Sequence, residues 1–437
     1  MMIWNQKYET MPREELAQVQ IERLQTTLNR VQRSVAFYRA AFQAQRVKPE
    51  AVSSLEDLRR LPFTTREDLR RAYPYDMFAV PLKDIVRIQC TSGTMGHPVV
   101  VGYTPNDVRL WTECVARVLA AGGVSEHDVV QVAFTYGLFS GGLGLHYGAE
   151  RIGASVVPAS TGALDRQVMI LRDFKSTALA CTPGYAVALA SAIRDAGVRR
   201  DELSLRVGFF GAEPWSESLR AQLEQRLGIT ALDNYGLTEI LGPGVSFECE
   251  HKSGLHLNED HFIAEVIDPQ TGTPLPAGTP GELVLTTISK EGFPLIRYRT
   301  GDIASIDPSP CACGRTLARM SRIGGRIDDM VIVGDVKVLP SHVEEVLAST
   351  VGVEPHYQIL VDRVEGIDSL EVRVEISEGA QVVDEVRALQ ELKERIARRL
   401  LAALTVPVNV TLAEPRSISA AGQPGAKQRR VVDRRAL

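Results

Sequence analysis

Residues 86–90 (VRIQC) alternate apolar and polar, and Val99 to Val101 resume β-branched, extended character; between them hangs a loop of Thr, Ser, Gly, Met, His and Pro. Gly93 and Gly96 free backbone N–H groups, and Thr91, Ser92 and Thr94 add hydroxyls, so the loop can wrap phosphate oxygens without side-chain bulk. It is not a Walker A loop. Gly93 has no second glycine five residues on, no Lys-Ser/Thr follows, and a strand stands where that motif needs a helix. A plain Ser/Thr/Gly turn is the alternative. A second constellation is Cys311 and Cys313 on a Pro/Gly-rich loop, with Cys249 and His256 upstream. It offers three sulfurs and an imidazole, the ligand count of a closed structural zinc site. His251 is a rival fourth ligand, and free thiols are the other reading. Cys90, Cys114 and Cys181 lie in apolar segments and read as core.

The elements that must position these residues follow a strand–helix rhythm. Strands are expected near 128–134, 154–157, 177–181, 206–210 and 230–234, with helical stretches between them, which argues for a mostly parallel sheet with helices on its faces. Ligands in such sheets bind beyond the carboxyl ends of strands. Those ends are Tyr136 to Phe139, Gly211-Ala212-Glu213 and Tyr235 to Glu239. Upstream, Leu16, Leu24, Leu28, Val31 and Val35 recur at helical spacing, giving N-terminal helices. Thr104-Pro105 opens a helix whose buried stripe is Val108, Trp111, Val115 and Val118 and which Gly122-Gly123 stop.

Beyond residue 245 short strands and turns predict a β-rich subdomain, in which Arg297, Arg299 and Asp302 form either a solvated edge or a polar ligand site. Glycines at 324 and 325 mark a boundary. After it come a hairpin turning at Gly334-Asp335, a helix with Ser341 and Glu344 as its capping box, a strand at 369–376, a helix at about 382–402 and a final strand. The expected class is α/β: a large N-terminal domain of parallel-rich sheets with helices plus a β-rich subdomain, residues 1–327, and a small mobile α+β C-terminal domain, residues 328–437.

A chain of 437 residues exceeds a single core, and 44% apolar with 24% charged residues is ordinary for a soluble globular protein. A net charge of −5 argues against a general nucleic-acid or membrane binder. No run approaches the roughly 18 apolar residues of a membrane span, and charges occupy the start of the chain where a secretion signal is apolar. A cytoplasmic protein is expected, its six cysteines serving as thiols or metal ligands.

Taken in order, SGTMGHP, GAE, DNYGLTE, RYRTGD, GRIDD and a C-terminal GAK resemble the adenylate-forming superfamily of acyl-CoA ligases. Within it, YGLFSGGLGLHYGAERIGASVVP, GLHLNEDHFIAEVIDP and FPLIRYRTGDI look like the phenylacetate–CoA ligase family, from Trp4 almost to the end. The resemblance implies a carboxylic acid attacking the α-phosphate of ATP, release of pyrophosphate, and attack of the CoA thiol on the acyl-adenylate. It also implies that Thr91, Ser92, Gly93, Thr94 and Gly96 hold the phosphates, and that Glu239, beside Thr238, ligates magnesium. Asp302 would accept the ribose hydroxyls. Gly211, Ala212, Glu213, Asp233, Asn234, Tyr235, Gly236, Arg322 and Arg326 would line the nucleotide. Lys427 would reach the carboxylate and α-phosphate as a mobile cation, with Asp328 as the hinge. Tyr136, Phe139, Gly141, Gly142 and Ala212 suit a flat ring. Some members of the family carry the Cys/His cluster, and a homodimer is compatible with the resemblance.

Three departures from the family pattern stand out. His97 replaces the usual Lys of the loop and Met95 the usual Thr, the tail reads SAAGQPGAK, and Lys337 replaces an Asn. The expected function is an AMP-forming aryl-acid–CoA ligase, using ATP, magnesium and CoA on phenylacetate or a benzoate or anthranilate-type acid. The alternatives are an adenylating enzyme that loads a carrier-protein phosphopantetheine, and a non-catalytic nucleotide-binding homologue.

Overall fold

The structure, a computed structural model, describes residues 2–91, 97–333, 336–364, 367–377, 385–415, 417–418 and 430–435. Five strands run parallel, in the spatial order Ser155–Val157, Val129–Val132, Ala178–Cys181, Val207–Gly211 and Thr230–Leu237. Four more, Gly242–Glu248, Leu255–Leu257, Arg319–Met320 and Ile306–Asp307, continue antiparallel to complete a nine-stranded sheet. Ala178–Cys181 and Val207–Gly211 are buried along their whole length, as strands covered by helices on both faces must be.

The helix Pro105–Ala121 starts as its sequence requires: Thr104 and Asp107 form a reciprocal capping box with Pro105 in the first turn. Asp107 also accepts the N–H groups of Glu291 at 2.6 Å and Gly292 at 2.8 Å, so one cap ties the helix to the β-rich part. The N-terminal helices Arg13–Ser34 and Ala36–Ala44 bury Leu16, Leu24, Leu28 and Val31, with Val35 between them.

An antiparallel sheet of Phe262–Ile267, Gly281–Thr287, Tyr298–Ala304 and Gly325–Arg326 forms the β-rich part. Its arginines have partners within the sheet. Arg297 pairs with Glu265 through two contacts of 2.9 Å, and the half-buried Arg299 pairs with Glu282, so carboxylates of the same sheet meet both charges, while Asp302 pairs with Arg326. Behind the large sheet, Arg117 is buried against Asp260 through contacts of 2.7 and 3.0 Å and against Asn258 at 2.9 Å. Burial pushes the neighbouring His261 down to about 4, and Asp260 is held well below the usual carboxylate range despite its burial, by His261, Arg117 and Arg23. Glu9 and Arg315, both fully buried, pair at 2.5 Å and join the first helical turn to the loop of Cys311 and Cys313.

Residues from Val331 onward build their own core around Val338, Val343, Ile359, Val372 and Ile396. Its sheet orders Val408–Ala413, Ile367–Ile376, Val353–Val364 and Val431–Asp433, with the helices Pro340–Ala348 and Glu385–Leu404 packed against it. The Ser341 capping box does not form. Pro340 suits a first helical position and starts the helix one residue early, so Leu339 is the cap, and the Ser341 hydroxyl donates to the Gly324 carbonyl instead. Among the described residues no helix is long and apolar enough to cross a membrane.

Candidate active site

Thr91 ends the Arg87–Cys90 strand, which pairs with Val100–Tyr103. Its N–H donates to Val99 O, and its Oγ1 accepts from the Val99 N–H, each at 3.1 Å, closing the hairpin at the base of the expected phosphate loop. Ser92, Gly93, Thr94, Met95 and Gly96 lie outside the described residues, as does Lys427. The Cys90 N–H donates to Leu138 O at 3.0 Å, which sets the hairpin beside the Tyr136 to Phe139 segment. Cys90 is consequently only half-buried rather than core, while Cys114 and Cys181 are buried. His97 is exposed and stacks on Tyr73 with ring centroids 4.6 Å apart.

Gly211 and Asn234 are register partners on neighbouring strands. A Cβ at Gly211 would lie 2.2 Å from Asn234 O, and one at Gly236 would lie 1.8 Å from Gly242 O, so both positions admit only glycine. Ala212 follows with a left-handed φ of 68°, a conformation that costs free energy in a residue with a side chain and concentrates at functional turns. Glu213 lies at the start of the Pro183–Asp195 helix, where its Oε2 would stand 3.4 Å from a Cβ on Gly184. Asn234 uses its Oδ1 to accept the Gly244 N–H at 3.1 Å. Burial pushes the Asp233 carboxyl up, and Arg322 pairs with it at 3.0 Å while lying 4.2 Å from the centre of the Trp215 ring.

The motifs around Tyr235 and Asp302 meet directly. The Tyr235 hydroxyl donates to Asp302 Oδ2 at 2.7 Å, and Arg326 reaches Asp302 Oδ1 at 3.0 Å. Burial and the Asp302 charge hold the Tyr235 phenol protonated, far above its ordinary range. Thr238 Oγ1 shares a hydrogen bond of 2.9 Å with Ser140 Oγ. Glu239 is buried; among the described residues its carboxylate has one hydrogen bond, from the Tyr298 hydroxyl at 3.3 Å. Asp328 pairs with Arg66 at 3.2 Å.

Lys290 is a residue that sequence reasoning missed. Fully buried, it donates to Glu239 O at 3.2 Å and Ile240 O at 2.7 Å and sits over the rings of Tyr103 and Phe293. Burial pushes its ammonium down to about 7. A single lysine in ISKEGFP carries no signal in the sequence, because its partners are carbonyls from another motif.

The Tyr136 hydroxyl is 3.2 Å from His146 Nδ1, and His146 Nε2 is 3.1 Å from Glu150. Gly141 and Gly142 lie in the first turn of the Ser140–Ile152 helix. A Cβ at Gly141 would meet the Phe139 ring at 2.5 Å, so the glycine lets that ring fold over the helix end.

Away from this region Cys249, His256, Cys311 and Cys313 converge, their ligand atoms all within 4.8 Å of one another. Cys249 Sγ lies 3.9 Å from Cys311 Sγ, and Cys313 Sγ lies 3.5 Å from His256 Nε2. Bonds of about 2.3 Å to sulfur and 2.0 Å to nitrogen at tetrahedral angles give edges of about 3.8 and 3.5 Å, so the set fits zinc. A disulfide needs about 2.05 Å.

Comparison with known proteins agrees with this geometry. The description "AMP-binding enzyme" matches residues 13–289, and "AMP-binding enzyme C-terminal domain" matches residues 335–435. The chain is 46% identical to the phenylacetate-coenzyme A ligase of Thermus thermophilus, over 99% of this chain and all of that protein. It is also 46% identical to the ligase of the same name from Escherichia coli, over 90% of this chain and 92% of that one. Among solved structures, 2-hydroxyisobutyryl-CoA ligase in its postadenylation state superposes with a TM-score of 0.91 at 29% identity, covering 98% of this chain and 92% of that one. The same enzyme in its thioesterification state gives 0.72. Two whole-length relatives and matches to both parts of the chain lead to one conclusion: it belongs to the phenylacetate–CoA ligase family of the AMP-binding, adenylate-forming enzymes.

Proposed function

We propose that this chain is an AMP-forming aryl-acid–CoA ligase whose acid is phenylacetate. The observation that carries the reading is the hydrogen bond from Tyr235 to Asp302, which joins two distant motifs at the carboxyl end of the parallel sheet, with Glu239 four residues along the same chain segment. The names of the whole-length relatives support the acid and the acceptor.

In this reading Asp302, held by Tyr235 and Arg326, keeps acceptor capacity for the ribose diol. The Gly211 to Glu213 turn and Tyr235 flank the base and the acyl group. Phe139 and Tyr136 wall the ring, with the Tyr136 hydroxyl oriented by His146. Glu239 and Thr238 form a hard-oxygen set suited to magnesium, which would neutralise phosphate charge when bound. Lys290 holds the Glu239 and Ile240 carbonyls and so fixes the backbone that aims the carboxylate. Lys427 supplies positive charge at the α-phosphate, and the division at 327/328, with Asp328 as hinge, lets the C-terminal domain serve both half-reactions. The expected result is pyrophosphate release that depends on phenylacetate, followed by phenylacetyl-CoA. The measurement is a panel of aryl acids, with CoA and carrier proteins as rival acceptors. No CoA thioester with any aryl acid would overturn the reading.

The Cys249, His256, Cys311 and Cys313 cluster holds structural zinc in this proposal, and unbridged thiols fit a cytoplasmic setting. Protein purified without chelator is expected to contain stoichiometric zinc, and stripping the metal to lower the thermal midpoint by about 5 °C or more. Metal analysis that finds no zinc sinks the assignment.

A further inference from the structure

We infer that Arg430 and Glu344 are positioning residues that latch the C-terminal domain onto the loop after the Gly211 to Glu213 turn, favouring acid activation over thioester formation; this rests on the ligase reading above. Arg430 leads into the Val431–Asp433 strand, and its carbonyl accepts the Ile359 N–H at 2.7 Å, so its backbone belongs to the C-terminal sheet. Its guanidinium crosses to the large domain. It pairs with Glu344, lies 3.4 Å from the Tyr357 hydroxyl and is 3.5 Å from the carbonyl of Pro214. Glu344, on the helix Pro340–Ala348, is buried, and its other oxygen accepts the Ser216 N–H at 2.8 Å. One ion pair of the small domain thus grips both sides of Trp215, just beyond the left-handed Ala212.

Other polar contacts between the two parts among the described residues, Gln222 to Ala348 O at 2.6 Å, Arg226 to Glu354 at 3.5 Å, Arg66 to Asp328 at 3.2 Å and Ser341 to Gly324 O, involve none of residues 211 to 216. A charge-assisted hydrogen bond is directional and holds only in one orientation. Arg430 keeps the Glu344 carboxylate aimed at Ser216; without it the carboxylate is free to turn away and the docked orientation loses its anchor. The latched orientation superposes on the relative's postadenylation state at 0.91 and on its thioesterification state at only 0.72, so release of the latch belongs to the second half-reaction.

The test separates the two half-reactions in the full chain. In Arg430→Gln, phenylacetate-dependent pyrophosphate release is expected to fall about tenfold or more, within the usual range of coupling between two states, while thioester formation from supplied phenylacetyl-adenylate and CoA is unchanged or faster. Arg430→Lys keeps the charge and is expected to recover most of the loss. Should Arg430→Gln fold poorly, the isosteric Glu344→Gln is expected to show the same split. Equal losses in both half-reactions, or none in either, overturn the latch. Fluorophores on exposed residues of the two domains give a readout independent of chemistry. A changed mean separation in Arg430→Gln supports the latch even if the wild type releases no pyrophosphate, a result that would count against the ligase reading alone; an unchanged separation overturns the latch.

Discussion

Glu239→Gln is expected to lower acid-dependent pyrophosphate release by about 10²- to 10³-fold, the scale of losing one preorganised electrostatic contact in a closed site. The replacement is isosteric, and its amide oxygen can still accept from the Tyr298 hydroxyl that now reaches Glu239 at 3.3 Å. Lys290 continues to hold the backbone carbonyls of residues 239 and 240. What changes is the formal charge of a buried carboxylate with a single protein hydrogen bond among the described residues. The thermal midpoint should therefore stay near that of the wild type, while the magnesium concentration giving half-maximal rate rises. Wild-type rates at every magnesium concentration would remove Glu239 from the proposed role.

Arg117→Met should have the largest effect on stability, a loss of about 3–5 kcal/mol. Methionine fills most of the space but leaves Asp260, fully buried, without the two contacts of 2.7 and 3.0 Å that neutralise it. Asn258 loses its 2.9 Å partner as well. Arg23, 3.8 Å from Asp260, and His261 Nε2, at 3.1 Å, remain beside the carboxylate and offset part of the lost pairing, which places the loss toward the lower end of that range. Denaturant unfolding measures the loss. The double variant Arg117→Met with Asp260→Leu should recover part of it, because a buried pair removed together costs less than one charge left alone. A single variant within about 1 kcal/mol of the wild type would show that water reaches Asp260.

Local chemistry made much of this fold legible. The parallel strands appear near where alternation with helices places them, and Thr104, Pro105 and Asp107 start their helix through contacts only three residues long. The cysteine cluster was readable because sulfur and imidazole are few and chemically distinctive. Features set by distant partners were not. Arg297 and Arg299 looked like an edge or a ligand site because Glu265 and Glu282 lie on other strands. The Ser341 capping box failed because Pro340 competes for the helix start, and Glu344 serves the domain contact instead. The strand Val353–Val364 was hidden by Pro355 and by a register shift between Val353 and Tyr357, which break the period-two pattern. In the site, the strand-end positions were legible from the strand–helix rhythm. Lys290, whose partners are main-chain carbonyls, was not.

The buried pair of Glu9 and Arg315 carries a consequence for biosynthesis. Its partners are 306 positions apart, so the Gln6–Glu9 turn, whose neighbours Trp4 and Asn5 meet Glu113 much earlier in the chain, cannot gain this pairing until residue 315 has been made. The Thr316 N–H bond to Glu9 O, at 3.0 Å, closes on the same schedule. The Glu9 carboxylate thus stays without its buried partner through synthesis of most of the large domain, and the pairing, once made, ties the base of the cysteine loop to the Gln6–Glu9 turn.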